Sequence, residues 1–202
     1  LGGALVWWLW YTRRYFSGAH AMYSARYLLP VYFMLIGFGF MAIEIAFIQR
    51  LQLYLGSVSA SVIVTTGGLL VAAAVSSWML SKYPPTKKII LLTPWLIACF
   101  SLFLLFITSI LFIESILLRF ALVLLIILAI GSLTAIFFPS GLKIVRKHFP
   151  GVEPLLVGLT VGAFAFAGPL ALYIASIVGV RQLLLLGIIC YGGCAAILIA
   201  LH

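Results

Sequence analysis

Long apolar runs separated by short polar connections make up most of this chain. A run of about 20 residues is long enough to cross the hydrocarbon core of a bilayer as an α-helix. Such runs occur at residues 27–51, 57–80, 89–113, 116–138, 155–178 and 182–201. The apolar run at residues 1–10 is too short to span and indicates the last part of a helix. The pattern predicts an all-α protein, a polytopic transmembrane helix bundle with about six full spans plus a partial N-terminal one.

The charged residues alternate between the connections. Three connections carry most of the 12 Lys and Arg residues, namely Arg13, Arg14 and Arg26, then Lys82, Lys87 and Lys88, then Lys143, Arg146 and Lys147. The intervening connections carry only Arg50, Arg119 and Arg181. Because Lys and Arg concentrate in cytoplasmic connections, this alternation predicts that the three basic connections lie on the cytoplasmic side. The same rule places the C-terminus there.

The composition indicates that lipid, rather than water, surrounds the protein. The chain is 66% hydrophobic and 7% charged, more apolar surface than a soluble domain of 202 residues could bury. We therefore expect residues 1–202 to form a single transmembrane domain in a lipid bilayer. We expect this bilayer to be a cell membrane, namely a bacterial inner membrane. The net charge of +9 is explained by the Lys and Arg residues of the three basic connections. The sequence also has no motif that reads a nucleic-acid groove, so we expect no nucleic-acid partner. Because the chain lacks an initiator methionine, we expect it to be a fragment of a longer one.

Three cysteines, Cys99, Cys190 and Cys194, lie inside apolar runs. Cys190 and Cys194 are four residues apart and share a helix face, and we interpret them as small packing residues. A metal-binding pair is the alternative, but the three histidines of the chain lie outside the predicted spans. We therefore predict no metal site, no cofactor and no catalytic constellation within this chain.

Small residues recur at helical spacing in two of the predicted spans. Gly68, Ala72 and Ser76 are spaced four residues apart, and Gly158 and Gly162 form a GxxxG pair. Helices in lipid associate mainly where small residues let their backbones approach closely. We expect both sets to pack helices within the chain, with association between subunits as the alternative.

Gly168–Pro169 lies inside the sixth full span. Proline removes one hydrogen bond of a helix, so we expect a kink at this position. Some transporters break their helices at the substrate site, which is the alternative interpretation, but no second break is evident at a matching position.

Glu44 is the only acidic residue well inside a span, about 10 Å below the end of its predicted helix. An ionised carboxylate at that depth is costly unless it is protonated, paired or in a wet cavity. Gly37 lies on nearly the same face, and we expect it to be a helix-packing residue that lets a neighbouring backbone pass close by. Arg50 lies about 120° around the helix and is a poor partner. We expect Glu44 to face other helices and to bond a hydroxyl from one of Thr65, Thr66, Ser132 and Thr134. A role in handling a proton, substrate or lipid is the alternative, and Gln49 and Arg50 are expected as solvated residues at the interface.

The segment around Glu44 resembles a known family. Residues 37–56, GFGFMAIEIAFIQRLQLYLG, are similar to the membrane region of the spermidine-synthase-like integral membrane proteins. Residues 138–143, FPSGLK, are similar to a second segment of that family. A weaker similarity covers residues 161–164 and 178–185, and the order of these segments agrees over most of the chain.

The resemblance implies a membrane domain that accompanies a soluble aminopropyltransferase-like domain, and it carries over Glu44, Gln49 and Arg50 as motif residues of unassigned role. The chain has no Gly-rich nucleotide loop and no acidic amine site, so any aminopropyltransferase-like activity would need a soluble domain not present in it. We expect a non-catalytic membrane domain that anchors a soluble domain of the same chain or joins other membrane subunits in a larger assembly. The alternative is a secondary transporter or half-transporter for a small solute, which includes cationic solutes.

Overall fold

A computed structural model describes the backbone of residues 20–83, 85–110 and 116–201, with side chains over 27–83, 85–109 and 117–201. These residues contain helices and no strand. The helices are α1 His20–Leu55, α2 Val58–Lys82, α3 Lys87–Ile110, α4 Ile116–Thr134, α5 Phe137–His148, α6 Glu153–Ile177 and α7 Val180–Ala200. The all-α prediction is confirmed. The partial span expected at residues 1–10 and the first part of the following basic connection lie outside the described residues.

Six helical stretches of the described chain are long and apolar enough to cross a membrane, as a multi-pass membrane protein requires. Five of them lie within α1, α2, α3, α6 and α7, and the sixth, Leu117–His148, joins α4 to α5. The helices extend a few residues beyond the predicted spans at several ends, because polar residues at a helix end can remain helical where they reach the interface. The side of the membrane that each connection faces stays a prediction.

The helix α1 forms the centre of the bundle. Within an 18-residue apolar window of its span 61% of the residues are buried, against 28% in the corresponding windows of α2 and α3. It packs mainly against α6 and α7, while α2 packs against α4 and α3 packs against α7 and α4. The largest fully buried side chains include Tyr32, Phe33, Phe47, Phe137 and Tyr191. The aromatic core thus lies between α1, α5 and α7, and the outer helices present apolar faces outward.

The segment after α4 differs from the prediction. We expected the helix to end at Phe138 and residues 140–154 to form a connection, but a short turn at Ala135–Ile136 leads into α5, which continues to His148. Pro139 has no N–H for the carbonyl of Ala135, which interrupts the helix there, and it then sits in the first turn of α5, where proline costs little. The basic side chains in the last turn of α5 further favour the helix through its dipole.

The helix α6 passes through Gly168–Pro169 without a break. The kink expected at this proline stays a prediction, and the interruption of a span that the structure does show lies at Ala135–Ile136, between α4 and α5. A Cβ atom at Gly168 would lie 3.4 Å from Met41 Cε, an ordinary contact distance, so this part of α6 lies against α1.

Candidate functional site

Glu44 lies in the middle of α1 and only 8% of its surface is exposed. The Thr66 hydroxyl donates a hydrogen bond to Glu44 Oε1 at 2.6 Å. This confirms that Glu44 faces another helix, and Thr66 is one of the four hydroxyl partners named from the sequence. The bond joins α1 to α2 at a depth where neither group could find bulk water.

Thr66 lies in a π-helical turn, Ile63–Gly67, which interrupts α2. A π turn holds an extra residue and is found in helices mostly as a single turn, frequently at functional sites. Thr65 in the same turn is fully buried, and its hydroxyl has no hydrogen-bond partner among the described residues. A Cβ atom at Gly67 would meet nothing within 4 Å. The turn therefore carries the Thr66 hydroxyl, bonded to the only buried carboxylate of the described chain, and the Thr65 hydroxyl, which has no partner among the described residues.

Gly37 confirms the expectation that a neighbouring backbone passes close to this face of α1. A Cβ atom there would lie 2.7 Å from Ala163 Cβ and 3.0 Å from the carbonyl oxygen of Thr160. The neighbour is α6, whereas Glu44, two turns further along, contacts α2. Gly37 thus sets the distance between α1 and α6.

The small residues of α2 pack against α4. A Cβ atom at Gly68 would lie 2.9 Å from Ile127 Cγ2, and one at Gly131 of α4 would lie 2.8 Å from Ala72 Cβ. Packing within the chain is therefore confirmed for Gly68 and Ala72. Ser76, one turn on, is half-buried.

The GxxxG pair of α6 behaves differently. Gly158 and Gly162 are exposed, and a Cβ atom at either position would meet no described atom within 4 Å. The expectation that this pair packs against another helix of the chain is therefore wrong for the described residues. The spacing is the same as in α2, but the face of α6 that bears the pair points away from α1. Association between subunits remains the alternative for this pair.

Arg50 is half-buried and joins α1 to α3 instead of standing free in solvent. Its Nε donates to Thr108 Oγ1 at 3.1 Å, and its Nη2 donates to Ser109 Oγ. The expectation of a solvated residue therefore holds only in part for Arg50, because two hydroxyls at the end of α3 accept two of its five N–H groups. Gln49 is half-buried beside it. The Thr-Ser pair was visible in the sequence, but which helix it would meet was not.

Cys190 and Cys194 are buried in α7 as small packing residues. Cys194 Sγ lies 3.7 Å from the carbonyl oxygen of Tyr32, with a geometry suited to a weak S–H donor. Tyr32 in turn donates its hydroxyl to the carbonyl oxygen of Phe137 at 2.5 Å. Within the described ranges, no three His, Cys, Asp or Glu side chains come together as a metal site. The cysteines therefore contribute to the join between α1, α5 and α7.

No family model, no curated protein and no solved structure matches this chain. The similarity of residues 37–56 to the spermidine-synthase-like membrane region accordingly stays a prediction from sequence. The candidate site is the polar contact between Glu44 and the π turn of α2.

Proposed function

We propose that this chain is a non-catalytic multi-pass membrane domain, related to the spermidine-synthase-like membrane proteins, that acts as a membrane anchor or as a subunit of a larger membrane assembly. The observation that carries the proposal is the exposed GxxxG pair of α6. The close-packed glycines Gly37, Gly68 and Gly131 each lie against another helix, whereas Gly158 and Gly162 do not contact the described residues.

The chemistry of this face suits contact with a further transmembrane helix. Association in lipid relies on close packing and interhelical contacts, because the lipid tails are as apolar as the helices. Val161 and Phe166 lie near the glycine pair and expose 58% and 66% of their surfaces. Their side chains can pack against a neighbouring helix that lies in the groove formed by the two glycines. The neighbour would be a helix of another subunit or of the same longer chain.

We expect the double substitution Gly158→Leu with Gly162→Leu to dissociate the assembly, because two leucines would hold the partner helix several ångströms further away. The measurement is the mass of the full-length protein extracted into lipid nanodiscs and weighed by native mass spectrometry. Gly192→Leu in α7 is the matched control, since that glycine also has open space beside it. A wild-type protein with the mass of a single chain would refute the subunit form of the proposal, and a double variant of unchanged complex mass would refute association of subunits through this face.

The second candidate function is that of a transporter or half-transporter for a small solute, which includes cationic solutes. It is favoured by the π turn, which places Thr66 on Glu44 and leaves the Thr65 hydroxyl unpaired. The interruption at Ala135–Ile136 adds a second irregular segment within a span. Transporters use irregular helices in the bilayer to expose polar groups to solutes and ions.

For this candidate, Glu44→Gln is the informative substitution. The amide oxygen can still accept the Thr66 hydrogen bond, so we expect stability within about 0.5 kcal/mol of wild type. An amide cannot take up and release a proton and has no negative charge to attract a cation, so proton-coupled uptake of spermidine by vesicles containing the full-length protein should stop. Glu44→Leu removes the acceptor and should cost about 1 kcal/mol of stability. Uptake at the wild-type rate by the Glu44→Gln protein would exclude transport through this carboxylate, and no uptake by the wild type would exclude spermidine as the solute.

A further inference from the structure

A cavity of about 310 Å³ lies where the end of α1 meets the end of α3 and the start of α4. Its lining consists of Arg50, Leu53, Tyr54, Leu55, Gly56, Thr108 and Arg119. Two guanidinium groups are thus placed around one space, and each of them can donate hydrogen bonds. None of these described residues is acidic, so the chemistry of the cavity suits an anion.

The two arginines are held in place by neighbouring groups of the protein. Arg50 uses its Nε and Nη2 donors on Thr108 and Ser109, which leaves three of its five N–H groups for a ligand. The Arg119 guanidinium carbon lies 5.6 Å from the centre of the Tyr54 ring, and its Nη1 is 3.5 Å from the Tyr54 carbonyl oxygen. Arginines fixed in this way can bind a phosphate with little further loss of side-chain entropy.

The charge of this end of the bundle also favours an anion. Arg50, Arg119 and Arg181 all lie at this end, whereas the two acidic residues of the described chain lie elsewhere, Glu44 deep in α1 and Glu153 at the start of α6. The positive-inside bias does not account for them, since the lysine-rich connections lie at the opposite end. Leu53, beside the cavity, is 79% exposed, so the cavity adjoins the surface that faces the lipid.

We propose that this cavity binds a phosphate group through the guanidinium groups of Arg50 and Arg119. The group belongs to an anionic phospholipid headgroup or to free phosphate, and both offer the oxygens that guanidinium groups recognise. The position at the end of a span, next to an exposed leucine, fits a lipid whose acyl chains lie along α1.

The test uses the full-length protein in detergent, with native mass spectrometry after addition of phosphatidylglycerol, phosphatidylcholine or inorganic phosphate. We expect phosphatidylglycerol to bind more tightly than phosphatidylcholine, and Arg119→Gln to weaken this binding at least about tenfold, as loss of a charged hydrogen bond does. Arg181→Gln is the control for charge, because Arg181 lines a neighbouring cavity instead. Binding of inorganic phosphate that competes with the lipid would identify free phosphate as a second source, while binding of the lipid alone would identify the headgroup.

The melting temperature of each variant without ligand separates loss of binding from loss of folding. We expect Arg119→Gln to melt close to the wild type while its phosphatidylglycerol binding falls. The proposal is overturned if Arg119→Gln binds this lipid as the wild type does, if Arg181→Gln alone loses it, or if neither phosphate source binds above the phosphatidylcholine level.

Discussion

Replacement of Gly141 by leucine should prevent the bundle from reaching its native packing, and even Gly141→Ala should cost about 2–3 kcal/mol of stability. A Cβ atom at this position of α5 would overlap Tyr32 Cε1 and would lie 3.2 Å from Phe33 Cζ. Neither ring can move aside, because both are fully buried and Tyr32 also donates a hydrogen bond to the backbone of Phe137. The measurement is the midpoint of denaturation by sodium dodecyl sulfate in bicelles.

The control for this prediction is Gly192→Ala. Gly192 also lies inside a helix, but a Cβ atom there meets nothing within 4 Å. Alanine should therefore be neutral or stabilising by up to about 1 kcal/mol, as expected from helix propensity alone. If Gly141→Ala and Gly192→Ala have the same stability, then α5 does not pack on Tyr32 and the residues after Pro139 form a connection, as the sequence pattern predicted.

Gly37→Leu is expected to separate α1 from α6, at a cost of about 3 kcal/mol or more. The Cβ atom would lie 2.7 Å from Ala163 Cβ, 3.0 Å from the Thr160 carbonyl oxygen and 3.2 Å from the backbone nitrogen of Phe164. Two of these three atoms belong to the backbone of α6, so no change of rotamer relieves the contact. Unfolding in bicelles, together with cross-linking of cysteines placed on α1 and α6, measures the loss of stability and the separation.

A double-substitution cycle tests the Gly37 contact more precisely. Gly37→Ala alone should destabilise the protein, and adding Ala163→Gly should restore part of the loss, since it removes the nearest of the three atoms. The recovery should be incomplete because the Thr160 oxygen remains. Strictly additive effects would mean that residues 37 and 163 are not in contact and that α6 lies elsewhere around α1.

The features that could be predicted from the sequence are those that depend on the order of residues along one helix. The length and hydropathy of the apolar runs predicted the six spans, because lipid demands about 20 apolar residues per crossing. The depth of Glu44 predicted a hydroxyl partner on another helix, since a carboxylate facing the acyl chains would be too costly. The same argument limited that partner to four residues, of which Thr66 is the one observed.

Only the tertiary structure decided which helix covers which face. The glycine pair of α6 and the small residues of α2 have the same spacing, yet α4 covers the stripe in α2 while Gly158 and Gly162 have no neighbour in the described chain. Likewise, Arg50 finds Thr108 at a distance of 58 residues along the chain. Spacing within a helix fixes the direction of a side chain relative to that helix alone, whereas its partner depends on how all the helices pack together. For that reason the sequence determined the spans and the need for a partner at Glu44, and the packing of α1 to α7 determined the partners themselves.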